Sequence, residues 1–368
     1  MLIAMRKLLI PFAIVSVAVF PKSPLQAGLY LPAVPTQGPE ISSQGVKPLP
    51  FSLFRRDVLE DLLRIGNPQP PESAVRQQFL KARDELQAKQ RRGLLTEEDR
   101  VNLSGYLIRL RQFQEAIDLL TPVATRECRN FMVFANLATA EQQAGHLERA
   151  ISHLEQAQDV WPSQWPGMTP EQLHWFQQAE RYQLRLLRQR WAETRRLGKP
   201  PAGLDAVFTK DGQPVRYVAD SGRFEAGKIA GAERDKLPAD ALAILQQLLI
   251  WLPDDARLYW QMGELLNAMG DVSSAATVFD DCVWRRRLDD PEVRQHRQIV
   301  AEAAQVKSQE SATEMADIDS PGPTSSTAWL PDRNKLWTVG SIFAIIAVVM
   351  IYFQFREFRR RRAATSRK

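Results

Sequence analysis

The sequence predicts an all-α protein, a helix-turn-helix solenoid with a small β-hairpin insertion and one C-terminal transmembrane helix. Apolar residues recur at helical spacing through most of residues 52–307. Two pairs of alanines within that range stand 34 residues apart, which indicates a repeated helical unit. An uncharged apolar run covers residues 336–355, and about 20 such residues are enough to cross a bilayer.

The N-terminus has the pattern of a secretory signal peptide. Arg6 and Lys7 precede the mostly apolar residues 8–20, and Ala27 supplies the small residue of a cleavage site. We therefore expect a signal peptide over residues 1–27. An uncleaved signal-anchor is the alternative, which the shortness of the apolar run disfavours.

The C-terminal apolar run is predicted to be a single transmembrane helix. Trp337 and Tyr352 lie near its two ends, where amphipathic rings favour the headgroup layer. The arginine-rich tail, residues 356–368, follows directly, and such basic segments stay in the cytoplasm. The bulk of the protein is therefore expected on the other side of the membrane, periplasmic or extracellular, as the signal peptide independently requires.

The positive charge of the protein belongs to its two ends. The net charge of +5 is at first sight typical of a nucleic-acid binder. However, the tail carries seven basic residues and one acidic residue, and residues 1–27 carry three basic residues. Without these ends, residues 28–335 have a formal charge of about −4. We therefore expect no nucleic-acid partner.

The cysteines and histidines indicate neither a disulfide scaffold nor a metal site. Cys128 and Cys282 are too few for such a scaffold, so the fold must rest on a large core. The two thiols could pair in an oxidising compartment, but a solenoid favours separate thiols because it places residues so distant in sequence at opposite ends. Four histidines show no metal-binding spacing with the cysteines: His146, His153, His174 and His296. No metal or cofactor is predicted.

Two segments have the length and pattern of one helix-turn-helix repeat. Residues 131–162 carry apolar or small residues on both helices, a turn glycine and a closing proline: Phe134, Leu137, Ala138, Gly145, Ala150, Ala157 and Pro162. Residues 255–284 fill the same positions without the closing proline: Tyr259, Met262, Gly263, Leu266, Gly270, Ala275, Phe279 and Cys282. Both segments resemble the tetratricopeptide repeat, a unit of 34 residues in two antiparallel helices.

The alanine spacing extends this resemblance to two weaker repeats. Ala116 precedes Ala150 by 34 residues, and Ala241 precedes Ala275 by the same interval. Small residues are needed at these positions because one helix crosses its neighbour there. A larger side chain would push the helix axes beyond about 8–10 Å.

The resemblance implies a concave groove in which inward-facing residues of the first helices bind a protein or peptide partner. In the first segment these residues are Met132, Ala135, Thr139, Gln142 and Gln143. In the second segment they are Arg257, Trp260, Glu264 and Asn267. Arginine and tryptophan are frequent interface anchors. The alternative for Trp260 is that it fills the gap between adjacent helices.

Further segments flank the repeats. Residues 52–65 and 73–91 are expected to form a helix pair, and a final helix from Pro291 to about Val306 is expected to cover the end of the solenoid. Residues 28–51 are rich in proline, glycine and serine and are expected to be an extended leader. Residues 308–335 are expected to be a flexible linker.

A long helix and an insertion interrupt the repeat pattern. A capping box at residues 169–172, with proline at the first helical position, predicts a helix over residues 170–197. Residues 198–238 are expected to form an insertion with a β-hairpin, because Asp211-Gly212 lies between apolar runs. The helical pattern then resumes, which suggests one repeat whose turn has been expanded.

Two motifs suggest other functions. Gly222, Gly227 and Lys228 have the spacing of a phosphate-binding loop, but Ile229 stands where the magnesium-binding hydroxyl belongs, so a turn is the better interpretation. Residues 161–196 interleave arginine with tryptophan, as some binders of single-stranded nucleic acid do. The helical spacing of these arginines is typical of a solvated helix face, with anionic polymers or lipid headgroups as alternative ligands.

We therefore expect a membrane-anchored scaffold that mediates protein–protein interaction outside the cytoplasm and has no catalysis of its own. The sequence contains no pattern of a serine hydrolase or a zinc protease. Two alternatives remain. One is an envelope-assembly factor that binds cell-wall polymer or lipid, and the other is an enzyme whose site lies in residues 198–238.

Overall fold

The computed structural model describes residues 30–31, 38–68, 70–198 and 202–319, with side chains up to Glu310. The expected signal peptide, transmembrane segment and basic tail lie outside these residues. Among the helices that are described, none is long and apolar enough to cross a membrane.

The described part of the protein is mainly helical, which confirms the all-α class. The helices are α1 (Phe51–Leu53), α2 (Glu60–Gly66), α3 (Ala74–Arg91), α4 (Glu97–Arg109), α5 (Phe113–Leu120), α6 (Phe131–Gln143), α7 (Leu147–Asp159), α8 (Pro170–Leu197), α9 (Gly231–Arg234), α10 (Ala241–Trp251), α11 (Ala256–Ala268), α12 (Val272–Asp280) and α13 (Pro291–Asp319). Strands β1 (Glu40–Ser42) and β2 (Gly45–Lys47) form one antiparallel hairpin. Strands β3 (Thr209–Lys210) and β4 (Gln213–Pro214) form another.

Consecutive helices pack against one another in sequence order. α4 contacts both α5 and α6, so the first helices of two neighbouring pairs touch. The order continues with α6 against α7, α7 against α8, α8 against α10, and α10 against α11, which pairs with α12. One apolar core runs through these helices, and a smaller cluster joins α6, α7 and α8.

The small residues that the sequence pattern singles out are buried between helices. Ala116, Ala150 and Ala275 are fully buried, and Ala241 is 5% exposed. At Gly263 on α11, an added Cβ would lie 3.0 Å from a methyl group of Val278 on α12. The 34-residue alanine spacing therefore marks buried positions.

The start of α8 and the turn of the second hairpin follow from local sequence. The hydroxyl of Thr169 accepts from the main-chain nitrogen of Gln172 at 3.2 Å, and the Gln172 side chain accepts from Thr169 N at 3.0 Å, so the predicted capping box is confirmed. Asp211 and Gly212 both have positive φ, of 51° and 75°, as a two-residue hairpin turn of type I′ requires.

The N-terminal part contains more structure than the expected leader and helix pair. The β1–β2 hairpin lies within residues 28–51, where an extended leader was expected. A π-helical turn, Phe54–Leu59, joins α1 to α2 into one continuous helix. α2 contacts α3 as expected, but Arg55 in the π-helical turn also forms a 2.9 Å ion pair with Asp281, which is far away in sequence.

The last helix is longer than its sequence pattern suggests. α13 continues to Asp319, past Val306, into residues that were expected to belong to a flexible linker. Residues 308–319 contain neither glycine nor proline and include several good helix formers.

Candidate peptide-binding groove

A buried carboxamide on α6 binds the backbone of the N-terminal segment. Oδ1 of Asn136 accepts from the main-chain nitrogen of Tyr30 at 2.6 Å, and Nδ2 donates to the Tyr30 carbonyl at 2.9 Å. Nδ2 also donates to the hydroxyl of Ser104 on α4 at 2.9 Å, which orients the amide. Because one side chain satisfies both backbone groups of Tyr30, this contact does not depend on which side chain that residue carries.

The side chain of Tyr30 lies in an aromatic pocket. Its ring meets Phe131 edge to face, with centroids 4.9 Å apart, and its hydroxyl donates to Oε1 of Glu180 on α8 at 3.1 Å. Phe131 packs in turn against Trp161 and Trp165, with centroids 4.3 and 4.9 Å away. The pocket therefore recognises an aromatic ring and provides an acceptor for a phenolic hydroxyl.

Gly105 on α4 makes room for the segment. A Cβ atom at this position would lie 2.9 Å from the Tyr30 carbonyl oxygen and 3.0–3.1 Å from side-chain atoms of Leu31. Any other residue at 105 would push the segment away from Asn136. The glycine thus lets the backbone of the segment lie directly against the backbone of α4.

A second carboxamide, on α10, repeats the pattern further along the same segment. Oε1 of Gln246 accepts from Leu49 N at 2.9 Å, and Nε2 donates to the Leu49 carbonyl at 2.7 Å. Between these two contacts, β1 packs against α8. The N-terminal segment therefore contacts α4, α6, α8 and α10, and we call the surface lined by these four helices the inner groove.

The floor of the inner groove contains a buried arginine. Nη1 of Arg109 on α4 donates to the carbonyl of Ile250 at 2.6 Å, near the C-terminal end of α10. Burial lowers the pKa of Arg109 to about 9. A cation near the last carbonyls of a helix interacts favourably with its dipole, and here it also joins α4 to α10.

The first predicted set of groove residues lies on the same helix as Asn136. Met132, Ala135 and Thr139 are buried, with at most 2% of each residue exposed. Gln142 accepts from the side-chain amide of Gln183 on α8 at 2.8 Å. Gln143 lines a small cavity between α4 and α10. The structure thus places three members of this set inside the packed helices and leaves the two glutamines half-buried.

Two members of the second predicted set hold the insertion. The guanidinium of Arg257 donates to the carbonyl of Gly203 at 2.6 Å. Oδ1 of Asn267 accepts from Gly227 N at 2.7 Å, and its Nδ2 donates to the carbonyl of Glu225 at 3.0 Å. Both residues therefore bind the backbone of residues 202–238, a segment of the same protein.

The other two members of that set bond to each other, and one of them, Glu264, contacts α13. Trp260 is fully buried and donates from Nε1 to Oε1 of Glu264 at 2.5 Å. The same oxygen lies 2.7 Å from Nδ1 of His296 on α13. Trp260 thus fills space between helices while its polar atom bonds to a neighbour.

A buried ionic network fixes the start of the insertion. Arg190 on α8 pairs with both Asp205 and Asp255 at 2.6 Å, and Arg257 lies 2.9 Å from Asp205. Burial raises the pKa of Asp205 despite its arginine partners. At Asp255 burial acts in the same direction, but the charge of Arg190 and its hydrogen bonds hold the pKa below its ordinary value. The network joins α8 and α11 to the insertion.

In the structure, the glycine-lysine motif makes contacts within the protein, and the arginines of the second motif are exposed. The main-chain nitrogen of Gly227, which a phosphate-binding loop would offer to a phosphate, is bonded to Asn267. Lys228 pairs with Glu225 at 2.8 Å. On α8, the arginines at helical spacing are exposed: Arg181, Arg185 and Arg188.

Within the described ranges, no group of three or more histidine, cysteine or acidic residues could hold a metal ion.

Sequence reasoning missed the residues that bind the N-terminal segment. Asn136 and Gln246 are polar residues within otherwise apolar stretches, FMVFANLATA and ALAILQQLLIW. A buried carboxamide in such a stretch needs a partner for both its oxygen and its nitrogen, and that requirement is the available signal. Nothing in the sequence identifies Tyr30 as the partner.

Comparison with known proteins gives no match to this sequence or fold, whether among family models, curated proteins or solved structures.

Proposed function

We propose that this protein is a membrane-anchored repeat scaffold that binds an extended segment of a protein partner outside the cytoplasm, with no catalysis of its own. The observation that carries the proposal is the pair of carboxamides, Asn136 and Gln246, each bonded to the N–H and C=O of one residue in a segment that crosses the inner groove. In peptide recognition, backbone hydrogen bonds supply affinity and side-chain pockets supply specificity. The aromatic pocket that holds the Tyr30 ring supplies the specificity.

The helix arrangement supports a tetratricopeptide-like solenoid. The pairs α4–α5, α6–α7 and α11–α12 are helix-turn-helix units, and α4 packs on α6 as first helices of adjacent repeats do. The signal pattern of residues 1–27 and the apolar run of residues 336–355 support the extracytoplasmic, single-span arrangement.

A partner must compete with the protein's own N-terminal segment. Tyr30 and Leu31 occupy the inner groove in the structure, and a tethered segment acts at an effective concentration in the millimolar range. A separate partner protein therefore binds weakly unless its local concentration is also high. Anchoring of both proteins in the same membrane would provide such a concentration. The N-terminal segment sets a threshold for partner binding.

Cross-linking in intact cells tests this proposal. Full-length tagged protein is treated with a membrane-impermeant cross-linker and captured, and the recovered proteins are quantified. We expect a discrete partner with the wild type, several-fold more with Tyr30→Ala, which removes the competing ring, and a loss with Gly105→Ala, which places a methyl group in the groove. Gly231→Ala on α9 is the matched control, because a Cβ there meets nothing within 4 Å.

Two results would contradict the proposal. Equal recovery from the wild type and all three variants would show that the partner binds elsewhere. Cross-linking that requires permeabilised cells would place the repeats in the cytoplasm.

A further inference from the structure

A second cleft lies between the insertion, α11 and α13. Its volume is about 820 Å³. Aliphatic and aromatic side chains form its walls, including Val215, Phe224 and Ile299. Two carboxylates line it, Glu264 from α11 and the exposed Glu292 from α13. Two exposed arginines of the insertion also line it, Arg223 and Arg216, and the charge of Arg216 is paired with Glu233 at 3.0 Å. The inner groove does not include these residues.

Glu264 has one oxygen that the rest of the described structure leaves without a partner. The residue is fully buried, and Oε1 is bonded to both Trp260 and His296. Oε2 has no hydrogen-bond partner within the described residues. Burial raises the pKa of Glu264 even though His296 opposes the shift, so its present partners do not compensate for its desolvation. Buried acceptors in folded proteins are almost always satisfied, and the residue that carries this one lines a cleft large enough for a ligand.

The single unpaired oxygen of Glu264 favours an ammonium group over a guanidinium group as its donor. A guanidinium binds best to both oxygens of a carboxylate at once, and Oε1 of Glu264 is already taken. An ammonium group is a compact charge with three separate donors, so it can use Oε2 alone. A second N–H of the same ammonium group can donate to the carboxylate of Glu292 at the mouth of the cleft.

The apolar walls of the cleft can accommodate the hydrocarbon part of a ligand that carries an ammonium group. The ring of Phe224 stacks on the His296 imidazole with centroids 3.6 Å apart and planes within 7°, which fixes its position in the cleft wall. An aromatic face near a cation adds attraction, and the aliphatic walls accept a hydrocarbon stem.

We propose that this cleft binds a primary ammonium group on an aliphatic stem, with Oε2 of Glu264 as its main acceptor and Glu292 as a second. A free alkylamine and a lysine side chain share this chemistry. The proposal is independent of peptide binding in the inner groove.

Calorimetric titration of the full-length protein in detergent tests the proposal. The probes are n-pentylammonium and the lysine mimic Nα-acetyl-lysine methylamide, each compared with a neutral isostere, pentan-1-ol and the Nε-acetylated mimic. We expect the charged probes to bind at least about tenfold more tightly than the neutral ones, because only they supply a charge-assisted donor. Binding of pentylammonium alone indicates a free amine, and binding of both probes includes lysine side chains.

Three substitutions locate the binding. Glu264→Gln keeps the shape and removes the charge, so affinity should fall about tenfold or more. Glu292 lies at the exposed rim, where loss of its charge should destabilise the fold least. Glu292→Gln should weaken binding about two- to fivefold. Glu225→Gln, which removes a carboxylate of the insertion outside the cleft, should leave the affinity unchanged. Equal binding of alcohol and ammonium, no binding at millimolar concentration, or unchanged affinity in both cleft variants would overturn the proposal.

Discussion

The absence of a side chain at Gly105 lets the N-terminal segment dock in the inner groove, and we expect a single added methyl group to exclude it. Within a helix, alanine is more favourable than glycine by about 0.5–1 kcal/mol, so the glycine has a cost of its own. That cost is offset by the contact of Tyr30 and Leu31 with the α4 backbone, since a Cβ would lie 2.9 Å from the Tyr30 carbonyl. The position therefore reports directly on whether the segment is docked.

Replacing Gly105 by alanine should release the N-terminal segment. In hydrogen–deuterium exchange, the peptide that contains Tyr30 should lose its protection while α6 and α10 keep theirs. The melting temperature should fall, because the gain in helix propensity is smaller than the loss of the contacts that bury the Tyr30 ring. The control Gly231→Ala should leave exchange at Tyr30 unchanged. Retained protection at Tyr30 in Gly105→Ala would contradict the docking geometry.

Residue-level prediction from sequence succeeded where the constraint is local. Ala150 and Ala275 are fully buried, and the 34-residue spacing that marks them is visible in the sequence. Asn136 is only one position from the predicted Ala135, yet its role depends on a partner 106 residues away. Contacts at such separation leave no periodic signal in one sequence.

The helix formed by α1, the π-helical turn and α2 is held to a distant part of the sequence by ion pairs. Arg55 pairs with Asp281, and Arg285 pairs with Glu60 at 2.6 Å. The hydrogen bond from Arg285 holds the pKa of Glu60 below its ordinary value of 4.5. A carboxyl whose pKa is depressed on folding stabilises the folded state above its unfolded pKa, and that contribution is lost as the pH falls through the folded value.

Glu60→Gln should therefore lower stability at neutral pH but not in acid. The pair is partly exposed, so we expect the free energy of unfolding to fall by about 0.2–1 kcal/mol at pH 7. The difference from the wild type should shrink below about pH 4.5 and vanish once both states bind the proton. Denaturant unfolding between pH 3 and 7 measures it, with Glu310→Gln on α13 as the control. A difference that persists in acid would show that the charge of Glu60 is not responsible.

Element boundaries were predictable where capping chemistry sets them. The Thr169 capping box marks the start of α8, because its two hydrogen bonds are local. The β1–β2 hairpin was missed, since its residues gain stability from packing on α8 rather than from a strong strand pattern. α13 exceeds its expected end because the apolar periodicity stops before the helix-forming composition does.

Across the whole unit, non-helical segments of the protein lie on its own helices. Asn136, Gln246 and Asn267 each satisfy one backbone N–H and one backbone carbonyl with a single carboxamide. The first two bind the N-terminal segment and the third binds the insertion. The inner groove is thus shaped to hold extended backbone, and the molecule uses this property on itself.

Exchange of the N-terminal segment is a direct test of peptide binding in the inner groove. A fluorescent peptide with the sequence of residues 28–37 is titrated with full-length protein, and its anisotropy reports binding. Truncating a buried aromatic ring costs about 3–5 kcal/mol, so Tyr30→Ala should empty the aromatic pocket and bind the peptide at least about tenfold more tightly than the wild type. Adding Gly105→Ala to that variant should abolish binding, and adding Gly231→Ala should not. Equal affinity of the wild type and Tyr30→Ala, or no binding by either, would contradict the account.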